Sequence, residues 1–170
     1  LKKDFIMPIL VLSVICLIMS GALALTNHFT WPVVEEAAAE RAEAARAEMI
    51  PEADGFILLE TDGLPKTVTE VYNTANGTGV IFMVTATGGY GGEFSLIIGF
   101  GPDGTIIGSN VLADKETKGF GDRVFAAVNE AEAKGERFDG VAGATVTSKA
   151  YRRAIEDALE AYETVKGALS

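Results

Sequence analysis

Residues 139–154 read DGVAGATVTSKAYRRA, with hydroxyls at Thr145, Thr147 and Ser148 and a cation immediately after, Lys149. The stretch runs into a segment of helical character. Its hydroxyls therefore stand where backbone N–H groups are unpaired and the helix dipole is positive, a favourable place for a phosphate. Gly143 and Ala144 leave the backbone bare beside Thr145, so that a bulky group can approach its hydroxyl. Lys149 follows Thr145 by one helical turn, and helical side chains lean towards the N-terminus, which carries its ammonium back towards a phosphate on Thr145. Three readings stay open on residue types alone: ordinary N-capping by Thr145 or Thr147, a phosphate cradle, or an attachment point for a group the chain does not encode. The stretch is not a P-loop, because the sixth position from Gly140 is Thr145 where glycine is needed, and Val146, not lysine, comes next.

Two glycine-rich segments accompany it, TATGGYGGEF (85–94) and ADKETKGFGDRV (113–124). Glycine frees backbone for turns or for close approach to a ligand. Turns alone account for GGYGG, whereas ETKGFG sets a charged pair and a threonine before a large aromatic held between two glycines, just ahead of a helix. Gly99, Gly101 and Gly104 spell a dinucleotide fingerprint, but Pro102-Asp103-Gly104 is turn chemistry and a strand pattern resumes after it. The expectation there is a hairpin turn.

The conventional catalysts are missing. Cys16 is the only cysteine and lies in an apolar run, and His28 is the only histidine. Disulfides, a thiolate nucleophile, a cysteine metal site and a Ser–His–Asp arrangement are all unsupported. With 14 Lys and Arg against 24 Asp and Glu, the net charge of −10 argues against nucleic acid or anionic lipid headgroups as partners.

The positioning elements follow from the pattern. Residues 5–26 carry no charge and are long enough to cross a bilayer as a helix. An uncleaved anchor is the expectation, since the run exceeds the apolar core of a signal peptide. Lys2 and Lys3 precede it and no cation follows until Arg41, which keeps residues 1–4 in the cytoplasm and exports the rest. Residues 27–54 read as an interfacial segment with Phe29 and Trp31, then an Ala/Glu/Arg-rich helical stalk opened by Pro32 and ended by Pro51. Five β-rich runs follow from Gly55, then helices over about 122–134 and 147–169, so residues 55–170 form one α+β domain of antiparallel strands with flanking helices.

Asp-x-x-x-Gly-Ala-Thr, here Asp139 to Thr145, resembles the flavinylation motif of the FMN-binding domain family. With GYGG around Tyr90, E-T-x-G-x-G from Glu116 to Gly121, and one N-terminal span, the whole chain is similar to the G subunits of Rnf ion-translocating oxidoreductases. These are related to the longer C subunits of Na⁺-translocating NADH:quinone reductases. The resemblance implies FMN joined through its phosphate to Thr145 by a flavin transferase. It implies further cofactor contacts from Gly143, Ala144, Val146, Thr147, Ser148, Lys149, Glu116, Thr117, Gly119 and Phe120. It also implies other membrane subunits of an Rnf complex as partners, at a bacterial inner membrane, in electron transfer between ferredoxin and NAD⁺ coupled to Na⁺ or H⁺ movement. The motif departs from the family at Ala142, where Ser or Thr is usual, and at Lys118 and Phe120, where Pro and Leu are usual. Without the resemblance, the same loops suit an exported small-ligand-binding or sensor domain with no redox activity, or a structural anchor whose caps are only caps.

Overall fold

A helix of 48 residues opens the chain: α1, Lys2–Met49, in a computed structural model that describes residues 2–116, 118, 121–134 and 138–168. Its first part is apolar on every side, with Ile6, Leu10, Leu17, Leu23 and Leu25 all exposed, and α1 is long and apolar enough to cross a membrane. The hydroxyls of this segment turn inward on the helix: Thr26 Oγ1 donates to Ala22 O (2.9 Å) and Thr30 Oγ1 to Thr26 O (3.0 Å). Such back-bonding satisfies the hydroxyl within the helix itself. The sequence pattern places a new helix start at Pro32, but α1 runs through it. A proline already holds a helical φ, so the helix can continue through it, at the cost of one N–H and of crowding between its ring and the carbonyl one turn earlier. Pro51 ends the helix as expected, and Ile50 N–H donates to Arg46 O (3.1 Å) in the last turn.

Two compact units divide the chain, Leu1–Arg41 and Ala42–Ser170. The second is built on five strands in sequence order, all antiparallel: β1 (Phe56–Leu58), β2 (Val68–Thr74), β3 (Val80–Ala86), β4 (Phe94–Phe100) and β5 (Ile106–Ala113). Each corresponds to one of the β-rich runs. The helices α2 (Gly121–Lys134) and α3 (Thr145–Val165) follow, and a short 3₁₀ turn (Lys166–Ala168) closes the described chain.

Both faces of the sheet are covered, so β3 and β4 are nearly continuous apolar runs instead of strict alternations. Phe82, Val84, Leu96, Ile98 and Phe100 pack against α2 and α3, while Ile81 and Ile97 pack on the other face against Ala45 and Ile50 at the end of α1. Gly99 makes room there, since a Cβ on it would meet Met49 Cγ at 2.6 Å. Arg46 lies over the Tyr72 ring (4.3 Å), and burial together with the hydrogen bond to Glu70 pushes the Tyr72 phenol up.

α3 lies on the sheet through small residues. Ala150, Ala154, Ala158 and Ala161 are all buried and recur at helical spacing along one face. Tyr162 stacks on Phe100 (centroids 5.2 Å apart) and donates to Pro102 O (3.3 Å). The Tyr151 hydroxyl shares a hydrogen bond with Ser109 Oγ (2.5 Å), and Thr67 Oγ1 donates to Asp157 Oδ2 (2.7 Å). Pro102-Asp103-Gly104 forms the β4–β5 hairpin turn, with Gly104 at φ 83°. The Thr105 hydroxyl and amide bond Asp103 and hold its carboxyl below the usual range.

The alanine stripe sets how closely α3 approaches the sheet, so enlarging it tests that seating. Ala158→Leu should destabilise the domain by about 1–3 kcal/mol through overpacking. Urea unfolding of the purified chain with an unmoved midpoint would show that the stripe does not set the distance.

Candidate functional site

The loop before α3 is shaped by two left-handed glycines, Gly140 (φ 126°) and Gly143 (φ 83°). Ser148 ties it down: its Oγ donates to Ala144 O (2.9 Å) and accepts from Val141 N–H (3.1 Å). Ala144 is the N-cap residue, is buried, and offers no side-chain cap. Gly143 therefore serves chiefly through its φ, and Ala144 as a plug on the core, in addition to being small.

Thr145 is the first residue of α3, two positions earlier than the sequence pattern places the helix start. Neither it nor Thr147 caps the helix, so the capping reading is not what the structure adopts. Thr147 is buried and its Oγ1 accepts from Tyr90 N–H (3.4 Å). Ser148 is buried and engaged as described. Of the three hydroxyls, only that of Thr145 belongs to an exposed residue. Thr145 lines a cavity of about 230 Å³ together with Asp139, Gly140, Val141, Ala142, Ser148, Lys149 and Arg152. Lys149 thus lies where the sequence places it. Arg152 was not anticipated, although its spacing of one further turn on the same face was readable. Val146 points outward, half exposed.

GGYGG is the β3–β4 connection and lies between the other two motifs. On one side is the Tyr90–Thr147 hydrogen bond. On the other, a Cβ on Gly89 would collide with Glu116 Oε1 and a Cβ on Gly91 with the Lys115 carbonyl. Gly121 at the start of α2 abuts the Glu116 side chain in the same way. The Glu116 side chain therefore projects between Gly89 and Gly121, and both of its carboxylate oxygens are buried without a hydrogen-bond partner among the described residues. Its N–H donates to Asp114 Oδ1 (2.9 Å), which fixes the segment. A buried carboxylate without donors is costly, and it marks a place where a ligand's donors would be accepted. Thr117, Gly119 and Phe120 lie outside the described residues, and Lys118 is exposed. Tyr90, at the tip of the loop, is 77% exposed. The sequence marks it as part of GYGG but not as a residue of the site.

The arrangement can hold an anionic group beside Thr145 and hydrogen-bond donors at Glu116, with the glycine loop linking the two. No cluster of metal-ligating side chains exists among the described residues.

Residues 89–160 match the family model of the FMN-binding domain, a range that includes GYGG, Glu116 and Thr145. The G subunit of the Na⁺-translocating ferredoxin:NAD⁺ oxidoreductase complex of Acetobacterium woodii is 28% identical, with 92% of this chain and 90% of that protein aligned. The G subunit of the ion-translocating oxidoreductase complex of Pseudomonas aeruginosa is 29% identical over 95% of this chain and 90% of its own length. That of Vibrio cholerae is 28% identical over 89% and 87%. The similarity thus reaches beyond the FMN-binding domain into the N-terminal helix.

The contact of Gly91 with the Lys115 backbone couples the two glycine segments. Gly91→Ala should loosen both, at a cost of about 1–3 kcal/mol. Hydrogen exchange should rise together in residues 88–92 and 114–116 while β3 stays protected. Unchanged exchange in either segment would show that the two are not coupled.

Proposed function

We propose that this chain, similar throughout to G subunits of ion-translocating oxidoreductase complexes, is the membrane-anchored electron-transfer subunit of such a complex. It carries FMN joined through its phosphate to Thr145. The observation that carries this reading is the place of Thr145: first residue of a helix without a side-chain cap, exposed, and lining a cavity shared with Lys149 and Arg152.

The residues present fit FMN. A phosphodiester at Thr145 lies against first-turn amides that no side chain caps, where the helix dipole stabilises its charge. Lys149 adds a cation in the same cavity. Glu116 supplies buried acceptors for the hydroxyl or N–H donors of the cofactor. Gly89 and Gly91 let the connecting loop approach Lys115 and Glu116 closely. Gly143, Ala144, Val146, Thr147 and Ser148 set the geometry of the attachment turn, and the resemblance adds Thr117, Gly119 and Phe120, outside the described residues, as cofactor contacts.

FMN supplies the electron acceptance and release that this chain's own side chains lack. The protein holds the phosphate, orients the cofactor and tunes it through burial and the Glu116 carboxylate. Covalent attachment suits the expected topology, with residues 1–4 cytoplasmic and the domain outside, because a dissociating flavin would be lost there. A flavin transferase makes the bond during maturation, and other membrane subunits pass electrons to and from the domain.

Two outcomes test this. Thr145→Ala should abolish the flavin fluorescence that survives denaturation, after co-expression with a flavin transferase, while Thr147→Ala and Ser148→Ala retain it. Thr145 caps nothing, so its removal should change stability by no more than about 0.5 kcal/mol. A fluorescent Thr145→Ala band would overturn the site. For topology, protease added outside the inner membrane should digest the domain. Protection until that membrane is opened would reverse the orientation.

A further inference from the structure

We infer that Arg152 is a positioning residue for the phosphodiester on Thr145, an inference that rests on the attachment proposed above. Thr145, Lys149 and Arg152 recur at one-turn intervals along one face of α3 and line one cavity. Helical side chains lean towards the N-terminus, so both cations reach back towards Thr145. Neither forms an ion pair with any described residue; the one bridge among these joins Lys166 and Glu163. Asp139 also lines the cavity, so its walls carry two positive charges and one negative.

That balance runs against the rest of the molecule. The chain carries a net charge of −10, which repels an anionic cofactor. Two unpaired cations beside the acceptor hydroxyl offset the repulsion where the phosphate must lie. Arginine brings more than charge: its planar fork donates to two phosphate oxygens at once, which fixes the group's orientation where a point charge would not. Lys149 then supplies attraction and Arg152 direction. Ala142, in the loop opposite, contributes no hydroxyl to this cavity, leaving orientation of the phosphate to the helix.

The neighbouring residue provides the control. Arg153 is exposed on the same helix but does not line the cavity. Arg152→Gln and Arg153→Gln change the net charge equally and differ only in what they remove from the cavity. In purified flavin-loaded protein, the phosphorus NMR resonance of the diester should move in R152Q, stay in place in R153Q, and coincide in all three proteins once they are denatured. Initial flavin loading at limiting transferase should fall about tenfold in R152Q, the lower end of the loss expected from one charge-assisted hydrogen bond, with R153Q close to the parent. Should R152Q take up no flavin, Arg152→Lys, which keeps charge without the fork, replaces it in the phosphorus comparison with a smaller displacement expected. An unmoved resonance in the Arg152 variant, or equal displacements for both arginines, would overturn the inference even with flavin on Thr145. Flavin found elsewhere would overturn the attachment itself.

Discussion

Everything at the candidate site depends on how closely α3 sits on the sheet. Four buried alanines allow that approach, and the helix is held near both ends. Tyr162 fixes the C-terminal end to Phe100 and the β4–β5 turn, and Thr147 fixes the N-terminal end to the β3–β4 loop. A bulkier stripe would lift the helix and separate Thr145 from the glycine loops. The core face of α3 is spent on this packing. The opposite face, with Thr145, Lys149 and Arg152, is left for a ligand.

The buried groups divide the work between fold and cofactor. Thr147 and Ser148 carry hydroxyls next to Thr145, yet both are buried and used to tie loops together. Glu116 is the opposite case, a buried carboxylate with no hydrogen-bond partner among the described residues, flanked by glycines that have no room for a side chain. A fold that leaves such a group unsatisfied gives up stability unless something else supplies the donors. Under the proposed function FMN would offer them, and Glu116 lies within residues 89–160, which match the FMN-binding domain.

Much of this was legible in the sequence because it is periodic or punctuated. Each of the five β-rich runs became a strand, and the Pro-Asp-Gly turn excluded the dinucleotide reading of Gly99, Gly101 and Gly104. Other features needed three dimensions. The start of α3 was displaced by two residues because Ala144, a poor cap by type, takes that position for its burial. The passage of α1 through Pro32 was hidden because a proline signal marks a helix start more often than a tolerated interior. Arg152 and the Tyr90–Thr147 bond join residues whose significance lies in what they face.

The central claim is a bond to one atom, the Thr145 hydroxyl, and peptide mass spectrometry reads it directly. Trypsin cutting after Arg137 and Lys149 releases residues 138–149, which contain all three hydroxyls. In protein isolated from the assembled membrane complex, that peptide should carry the mass of FMN less one water, and fragmentation should place it on Thr145. An unmodified peptide from a flavin-bearing chain, or an adduct on Thr147 or Ser148, would contradict the account.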